Sequence, residues 1–298
     1  MRLTLGPVLY AWPRERLLAF YEEAADWPVD TVCLGEIVCE KRRVLNGNEW
    51  LTLGERLAAA GKEVLLSTPV LIESEATLRR LRRLCENDRF LVEANDMSAV
   101  HLLAGGGRPF AGGPGLNVYN PRTLAVLAER GLCRWSAPPE LPQAALAAVH
   151  AQRPRGVHTE VFAFGRVPLA HSARCFTARA ENRQKDRCGK ACFADPDGRL
   201  LHTQDGQPVL VLNGIQTQSA HTLDLLPQLE ALRRLGVERL RISPQSTHTA
   251  TVVRAFRAAL DGADPGECAA RLNACIPVGP CDGFWHGAPG AGCRGAVD

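Results

Sequence analysis

No stretch of this chain approaches the roughly 18 uninterrupted apolar residues that a membrane-spanning helix needs. The opening run "MRLTLGPVLYAWPRERLL" is apolar only briefly and carries Pro7 and Pro13, so it does not read as a signal peptide. An excess of charge of either sign is lacking as well, with 35 Lys and Arg against 32 Asp and Glu. A net charge of +3 argues against a dedicated nucleic-acid binder, and only a local basic patch remains possible. Several motifs are missing. No G-x-G-x-x-G follows the first apolar run, which disfavours a dinucleotide fold. The glycine-rich "AGGGRP" (104–109) and "GGPGLN" (112–117) lack the G-x-x-x-x-G-K of a phosphate cradle and read as turns. Neither G-x-S-x-G nor H-E-x-x-H occurs, and no cysteine–histidine pair suited to proteolysis is evident. Together these absences lead us to expect a cytoplasmic protein with no membrane span and no nucleic-acid partner.

What is present is a rhythm. Its 298 residues, 46% hydrophobic and 22% charged, allow two average domains or one large α/β barrel. Short β-branched runs alternate with amphipathic stretches: "RLTLGPVL", "DTVCLGE", "EVLLST", "RFLVEAN", "PFAGGPGLNVYN", "CRWSAPPE", "VHTEVFAFG" and "RLRISPQ" each precede a helical pattern. Pro121 and Pro142 stand near helix starts, and Gly61, Gly131 and Gly236 near helix ends. Eight such units in about 260 residues predict a TIM-barrel-like (β/α)8 fold over residues 1–263. One connection breaks the rhythm. Between the seventh strand and its helix, residues 166–220 form a long insertion that includes the strand-like "PVLVLNG", and an insertion of that size is expected to be functional. Residues 264–298, rich in Gly, Pro and Cys, are expected to pack on the barrel as an irregular tail, with Phe284 and Trp285 plugging a barrel end.

Eleven cysteines in a reducing compartment do not form a disulfide framework. Cys175, Cys188 and Cys192 lie in the insertion, spaced C-x12-C-x3-C among Arg174, Arg179, Arg183, Lys185, Arg187 and Lys190. In a barrel this segment sits at the C-terminal mouth, where barrel chemistry occurs. A fourth ligand must come from another strand-to-helix loop, and Cys39, after the second strand, lies on the same face. Cys33 and Cys133 sit within or at the start of strands, Cys85 within a helix, and Cys268, Cys275, Cys281 and Cys293 in the tail. Four thiolates suit zinc or an iron–sulfur cluster. Ligands scattered around a barrel mouth favour the larger group, whose negative charge the basic residues would offset; zinc and no metal stay open on spacing alone.

The segments "LTLGPVLYAWPRE", "CLGEIVCEKRR", "LVEANDMSAVHLLA", "TEVFAFGRVPLAHSARCFTAR", "LVLNGIQTQSA", "RLRISPQS" and "DGFWHG" resemble the collagenase-like peptidase family, in particular its members in ubiquinone biosynthesis. The family's E-x-F-x-x-G signature appears as Glu160, Phe162 and Gly165, followed by Cys175. The resemblance implies a [4Fe-4S] cluster on Cys39, Cys175, Cys188 and Cys192. It implies a heterodimer with the related protein UbiU that hydroxylates the ring of ubiquinone precursors without oxygen. It further implies a lipid-binding accessory protein, UbiT, and prephenate as oxygen source. Proteolysis is not expected, since a cysteine committed to iron is no free nucleophile. Polar residues at strand ends, namely Glu36, Glu93, Asn95, Asn117, Glu140, Glu160 and Gln245, are candidates for a substrate pocket in the mouth, with Arg166 and Arg174 as partners for a dicarboxylate. Capping and loop pairing are the plainer roles for any one of them. An RNA-modifying hydroxylase of the same family, or a non-catalytic scaffold stabilised by its metal, are the alternatives to the ubiquinone role.

Overall fold

The computed structural model describes residues 1–290 and 292. In chain order its strands and helices begin β1 (Arg2–Leu5), α1 (Arg14–Ala24), β2 (Thr31–Leu34), α2 (Gly47–Ala59), β3 (Glu63–Ser67), α3 (Glu75–Cys85), β4 (Leu91–Ala94), α4 (Met97–Gly105), β5 (Phe110–Gly112), α5 (Pro121–Ala128), β6 (Leu132–Ala137) and α6 (Gln143–Ala151). The remainder are β7 (His158–His171), α7 (Phe176–Ala180), β8 (Arg199–His202), β9 (Pro208–Asn213), β10 (Gln216–Asp224), α8 (Leu229–Leu235), β11 (Arg239–Ile242), α9 (Thr249–Leu260), α10 (Pro265–Leu272) and β12 (Pro280–Cys281). Strands β1 to β7 run parallel, each beside its neighbour. β11 pairs in parallel with both β1 and β7 and closes an eight-stranded barrel. The expected TIM-barrel-like architecture is therefore present, with helices following strands as the apolar periodicity indicated. Caps start several helices where the sequence offers them: Asn46 and Glu49 form a reciprocal capping box on α2, and Asp96 and Asn120 cap α4 and α5. Gly236, at φ +80°, ends α8 in the left-handed conformation.

The apolar core lies mainly between the barrel wall and its helices, built from residues such as Leu3, Leu34, Leu57, Leu66, Phe110, Leu240 and Phe256. The barrel interior differs. Only a small apolar group, Cys33, Leu65 and Ala111, lies there apart from the main core, and charged side chains occupy much of the rest. Arg241 Nε donates to Glu160 at 2.7 Å, and its Nη2 reaches Glu93. Thr4 and Ser136 each donate to Glu160 at 2.6 Å, and Ser67 donates to Glu93 at 2.7 Å. One layer below, Arg134 and Arg239 hold Glu63 at 2.6 and 2.8 Å. Burial alone would raise the Glu160 carboxyl, but the Arg241 and Arg134 charges outweigh it and hold the group at about 2.

The insertion is a sheet. β7 continues past the barrel to His171 and pairs antiparallel with β10, which pairs with β9, and β9 with β8. Irregular register between β7 and β10 falls at Gln218 opposite Pro168, where proline's missing donor is tolerated. Segment 264–290 is more ordered than expected. It opens with α10 packed on α9, and β12 pairs with the end of β10. Trp285, 3% exposed, lies against Pro138, Leu146, Val161 and Leu223 on the barrel flank. Cys293 falls outside the described residues. Among those described, no helix is long and apolar enough to cross a membrane.

Two outcomes follow for stability. Replacing Arg241 by Met leaves Glu93 and Glu160 buried without their cation and should cost about 3–5 kcal/mol; urea unfolding of Arg241→Met measures it, and a loss below about 1 kcal/mol would show that the interior is wetter than drawn. Asp224, at the end of β10, is pushed up to about 6 by burial, with Asp282 adding to the shift. Because its folded value lies above the unfolded value of 3.8, the folded chain holds a proton that the unfolded chain has lost, and stability falls as pH rises from about 4 to about 6. Asp224→Asn should therefore be more stable than wild type at pH 7.5, by on the order of 2 kcal/mol, and equal to it near pH 3.5.

Candidate metal centre

Cys39 lies in the loop after β2 and opens a turn there, its carbonyl accepting from the Arg42 amide at 3.0 Å. The adjoining residues Ile37 and Val38 are buried against Leu9 and Ile215, and Cys39 and Cys175 pack on this small apolar group. Cys175 is the N-cap of α7, and the Ala178 amide donates to its sulfur at 3.4 Å. Between Cys188 and Cys192 the chain turns back through two left-handed residues, Gly189 at φ +58° and Lys190 at φ +55°. The reversal joins Cys188, at the end of the 3-10 turn Lys185–Arg187, to Cys192 within the 3-10 turn Ala191–Ala194, and both side chains reach one cavity. The β9–β10 turn completes the frame. The carbonyl of Gly214 accepts from the Phe176 amide at 2.8 Å, and the Gly214 amide donates to Thr177 Oγ1 at 3.0 Å.

These pieces enclose one cavity of about 320 Å³, counting its open mouth, lined by Cys39, Lys41, Arg42, Cys175, Thr177, Cys188, Lys190, Cys192 and Gly214. All four cysteines singled out in the sequence meet there. Among the described residues no three His, Cys, Asp or Glu groups close in tightly enough to grip a single ion; the four thiols are spread around the wall. Burial raises the Cys39 thiol to about 11 and raises Cys192 as well, while the Arg42 charge opposes both shifts. Burial thus favours the thiol over the thiolate at both positions, and a metal binding there must displace protons. Of the other cysteines, Cys33, Cys85, Cys268, Cys275 and Cys281 are buried elsewhere, and none of these, nor Cys133, lines the cavity.

The basic residues of the insertion act differently from the expectation that they surround the thiols. Lys185 pairs with Glu73 and donates to the Ala173 carbonyl, tying the insertion to the loop after β3. Arg174, Arg179 and Arg187 are exposed. The cations at the cavity are Lys190, whose Nζ donates to the Arg42 carbonyl at 3.1 Å, and two residues not singled out from sequence, Lys41 and Arg42. The only signal for that pair was their place directly after Cys39 in "CEKRR". Lys41 bridges to Asp186 and so joins the β2 loop to the insertion.

The candidate substrate residues do not converge. Glu36 alone borders the metal centre: it accepts from the Cys39 amide at 3.2 Å and lies 3.6 Å from Arg42. Glu93 and Glu160 lie inside the barrel on Arg241 rather than at its mouth. Asn95 bonds both the hydroxyl and the carbonyl of Thr68. Asn117 ends a turn at φ +53°, Glu140 accepts from Tyr119, and Gln245 donates to the Cys275 carbonyl. Arg166 Nη1 donates to the Asp197 carbonyl at 2.5 Å. Asp197 in turn accepts from the Ser246 amide at 2.6 Å, and Trp12 Nε1 donates to the Pro196 carbonyl at 2.7 Å. This latch draws the insertion down over the barrel mouth. Arg174 is exposed and points to no partner group in common with Arg166.

The profile of peptidase family U32 matches residues 15–292. Among solved structures, the U32 peptidase Mk0906 is 12% identical over 82% of this chain and 93% of its own, with a TM-score of 0.46. A protein described as a dihydrodipicolinate synthetase from Pseudomonas aeruginosa is 11% identical over 91% of this chain and 80% of its own, with a TM-score of 0.50. The latter likeness bears on the barrel fold alone.

The Gly214 contact is open to test. At φ +67° an alanine is strained, and its Cβ would meet Arg42 Nη2 at 2.9 Å. Gly206, at φ +83°, has open space around it. Gly214→Ala should therefore lose clearly more thermal stability than the Gly206→Ala control, which carries the backbone cost of about 1–2 kcal/mol only; equal losses would mean that Arg42 yields without cost.

Proposed function

The chain belongs to peptidase family U32, and from that membership we propose that it is the iron–sulfur subunit of an oxygen-independent hydroxylase of ubiquinone precursors, of the UbiV type, paired with UbiU. The observation that carries this reading is the meeting of Cys39, Cys175, Cys188 and Cys192 around one cavity, although 153 residues of chain separate Cys39 from Cys192. Sulfurs from two different strand-to-helix connections, backed by buried Arg42 and by Lys190, form a donor set suited to an anionic group wider than one ion. A [4Fe-4S] cluster is such a group, with one cysteine for each iron.

When bound, that cluster supplies one-electron transfer, since four protein ligands leave no iron with a vacant position. The chain's own residues do the remaining work. The four thiols lose their protons and hold the group. Arg42, Lys190 and Lys41 offset the negative charge. The latch from Trp12 and Ser246 to Pro196 and Asp197 keeps the insertion seated on the barrel and limits access of water from that side. The resemblance to the ubiquinone-biosynthesis members implies the quinone precursor as substrate, prephenate as oxygen source and UbiT as the protein that presents the lipid. Proteolysis has no support in the geometry: His171, four residues before Cys175, is bonded to Gln216 at 2.9 Å.

Anaerobic purification with iron and sulfide analysis tests the reading. About four irons and four sulfides per chain are expected, with a broad visible absorbance that disappears in Cys188→Ala. One zinc per chain, or no metal in a folded wild-type protein, would sink it.

A further inference from the structure

We propose that Arg42 sets the reduction potential of the group held by the four cysteines, acting as a buried and permanently charged donor that favours its reduced, more negative form. The inference rests on the cluster reading above, in which Arg42 is only one of three cations that offset charge.

Arg42 is 1% exposed. Its guanidinium cannot shed its charge. Nη1 donates to the Leu9 carbonyl at 2.6 Å and Nη2 to Asn213 Oδ1 at 2.6 Å. These two bonds, from the loop after β1 and the end of β9, fix the plane of the fork. The nearest carboxylate, Glu36, forms only a long ion pair with Nη1, at 3.6 Å. The third nitrogen, Nε, is buried with no hydrogen-bond partner. A buried donor on a charged group without an acceptor is costly; Arg134, inside the barrel, also leaves Nε and Nη1 so, but of the two only Arg42 lines the cysteine cavity. Arg42 lines the thiol cavity, and its charge acts on both Cys39 and Cys192. A permanently charged and buried fork on the wall of a four-thiol cavity, with one N–H left over, fits an anionic, sulfur-bearing group in that cavity.

The neighbouring lysines are weaker candidates. Lys41 is 30% exposed and paired with Asp186, and Lys190 donates to a backbone carbonyl near solvent. Water and salt screen charges so placed, whereas Arg42 acts through protein. A cation and an N–H···S contact each stabilise the form with the extra electron, because negative charge on the sulfurs grows on reduction. Removing them must move the potential down.

The test is a redox titration, followed by visible absorbance and EPR, of anaerobically prepared wild type, Arg42→Gln, Arg42→Lys and Asn213→Ala, with iron and sulfide counted in each. Arg42→Gln should lower the potential by at least tenfold in the one-electron equilibrium, about 59 mV. Arg42→Lys keeps the charge but loses the fork and should fall less. Asn213→Ala keeps the charge and weakens its anchoring, so it should stay close to wild type. If Arg42→Gln fails to fold or to keep iron, Arg42→Lys decides, and its agreement with wild type overturns the proposal. A potential unmoved in Arg42→Gln, or moved equally in Asn213→Ala, also overturns it while leaving the cluster reading intact. A wild type without iron overturns that reading and this inference together.

Discussion

A guanidinium taken out of water must be surrounded by oxygen, and the barrel is organised around that demand. Arg241 is 4% exposed and lies between Glu93 and Glu160, both fully buried. Those carboxylates in turn collect Thr4, Ser67 and Ser136. The cluster therefore links β1, β3, β4, β6, β7 and β11 through side chains as well as through the ladder. An apolar interior would tolerate small shifts of one strand past another more readily. A charged one does not, because each carboxylate has its partners at fixed heights, and a slip in register turns every inward side chain to the other face. Whether such a network stabilises the fold relative to a packed apolar core is a separate matter, since desolvating charges is expensive. Its clearer effect is to fix which strands meet at which level.

The same constraint recurs at the mouth with a different result. Arg42 is as buried as Arg241, yet its oxygen partners number fewer and its carboxylate is farther away. Arg42 leaves Nε without a partner, as Arg134 leaves its Nε and Nη1. What sets Arg42 apart is its position on the wall of the cysteine cavity. It also explains how the insertion is held. Arg42 reaches Asn213 in β9, Lys190 reaches back to Arg42, Lys41 reaches Asp186, and Asp197 is latched to Ser246. Formation of the cavity and docking of the insertion are thus one event, and a ligand that binds all four thiols would add its binding free energy to that docking.

Sequence patterning made the barrel legible because its strands face an apolar layer outside, and that layer leaves short β-branched runs followed by helical periodicity. The inward layer was not legible. Glu160 and Glu93 read as mouth residues, since a carboxylate in a strand is assumed to seek solvent, and nothing in one dimension announces that Arg241 lies opposite. The insertion was legible only in part. "PVLVLNG" showed itself as a strand, but β10 buries Gln216, Gln218 and Thr222 on one side, so its alternation carries no hydrophobic signal. The helix Pro265–Leu272 was masked by the Gly, Pro and Cys content around it. The cysteines could be gathered by topology, because barrel connections after strands share one end. Arg42 could not be, because its role depends on what its nitrogens touch.

The family signature looks different once the chain is folded. Glu160 is the anchor of Arg241. Gly165, at φ +131°, lies where a Cβ would meet Ser243 at 2.5 Å and the Phe162 ring at 3.2 Å. Glu, Phe and Gly thus fix, in turn, the interior charge, the packing beside it and the close approach of β7 to the end of β11. None of the three lines the thiol cavity. In this chain the signature specifies the platform from which β7 leaves the barrel. The four cysteines of the cavity lie on what β7 carries beyond that point and in the loop after β2. A motif that governs where the extension points leaves the side chains set along that extension free to vary, since fold and function are specified separately.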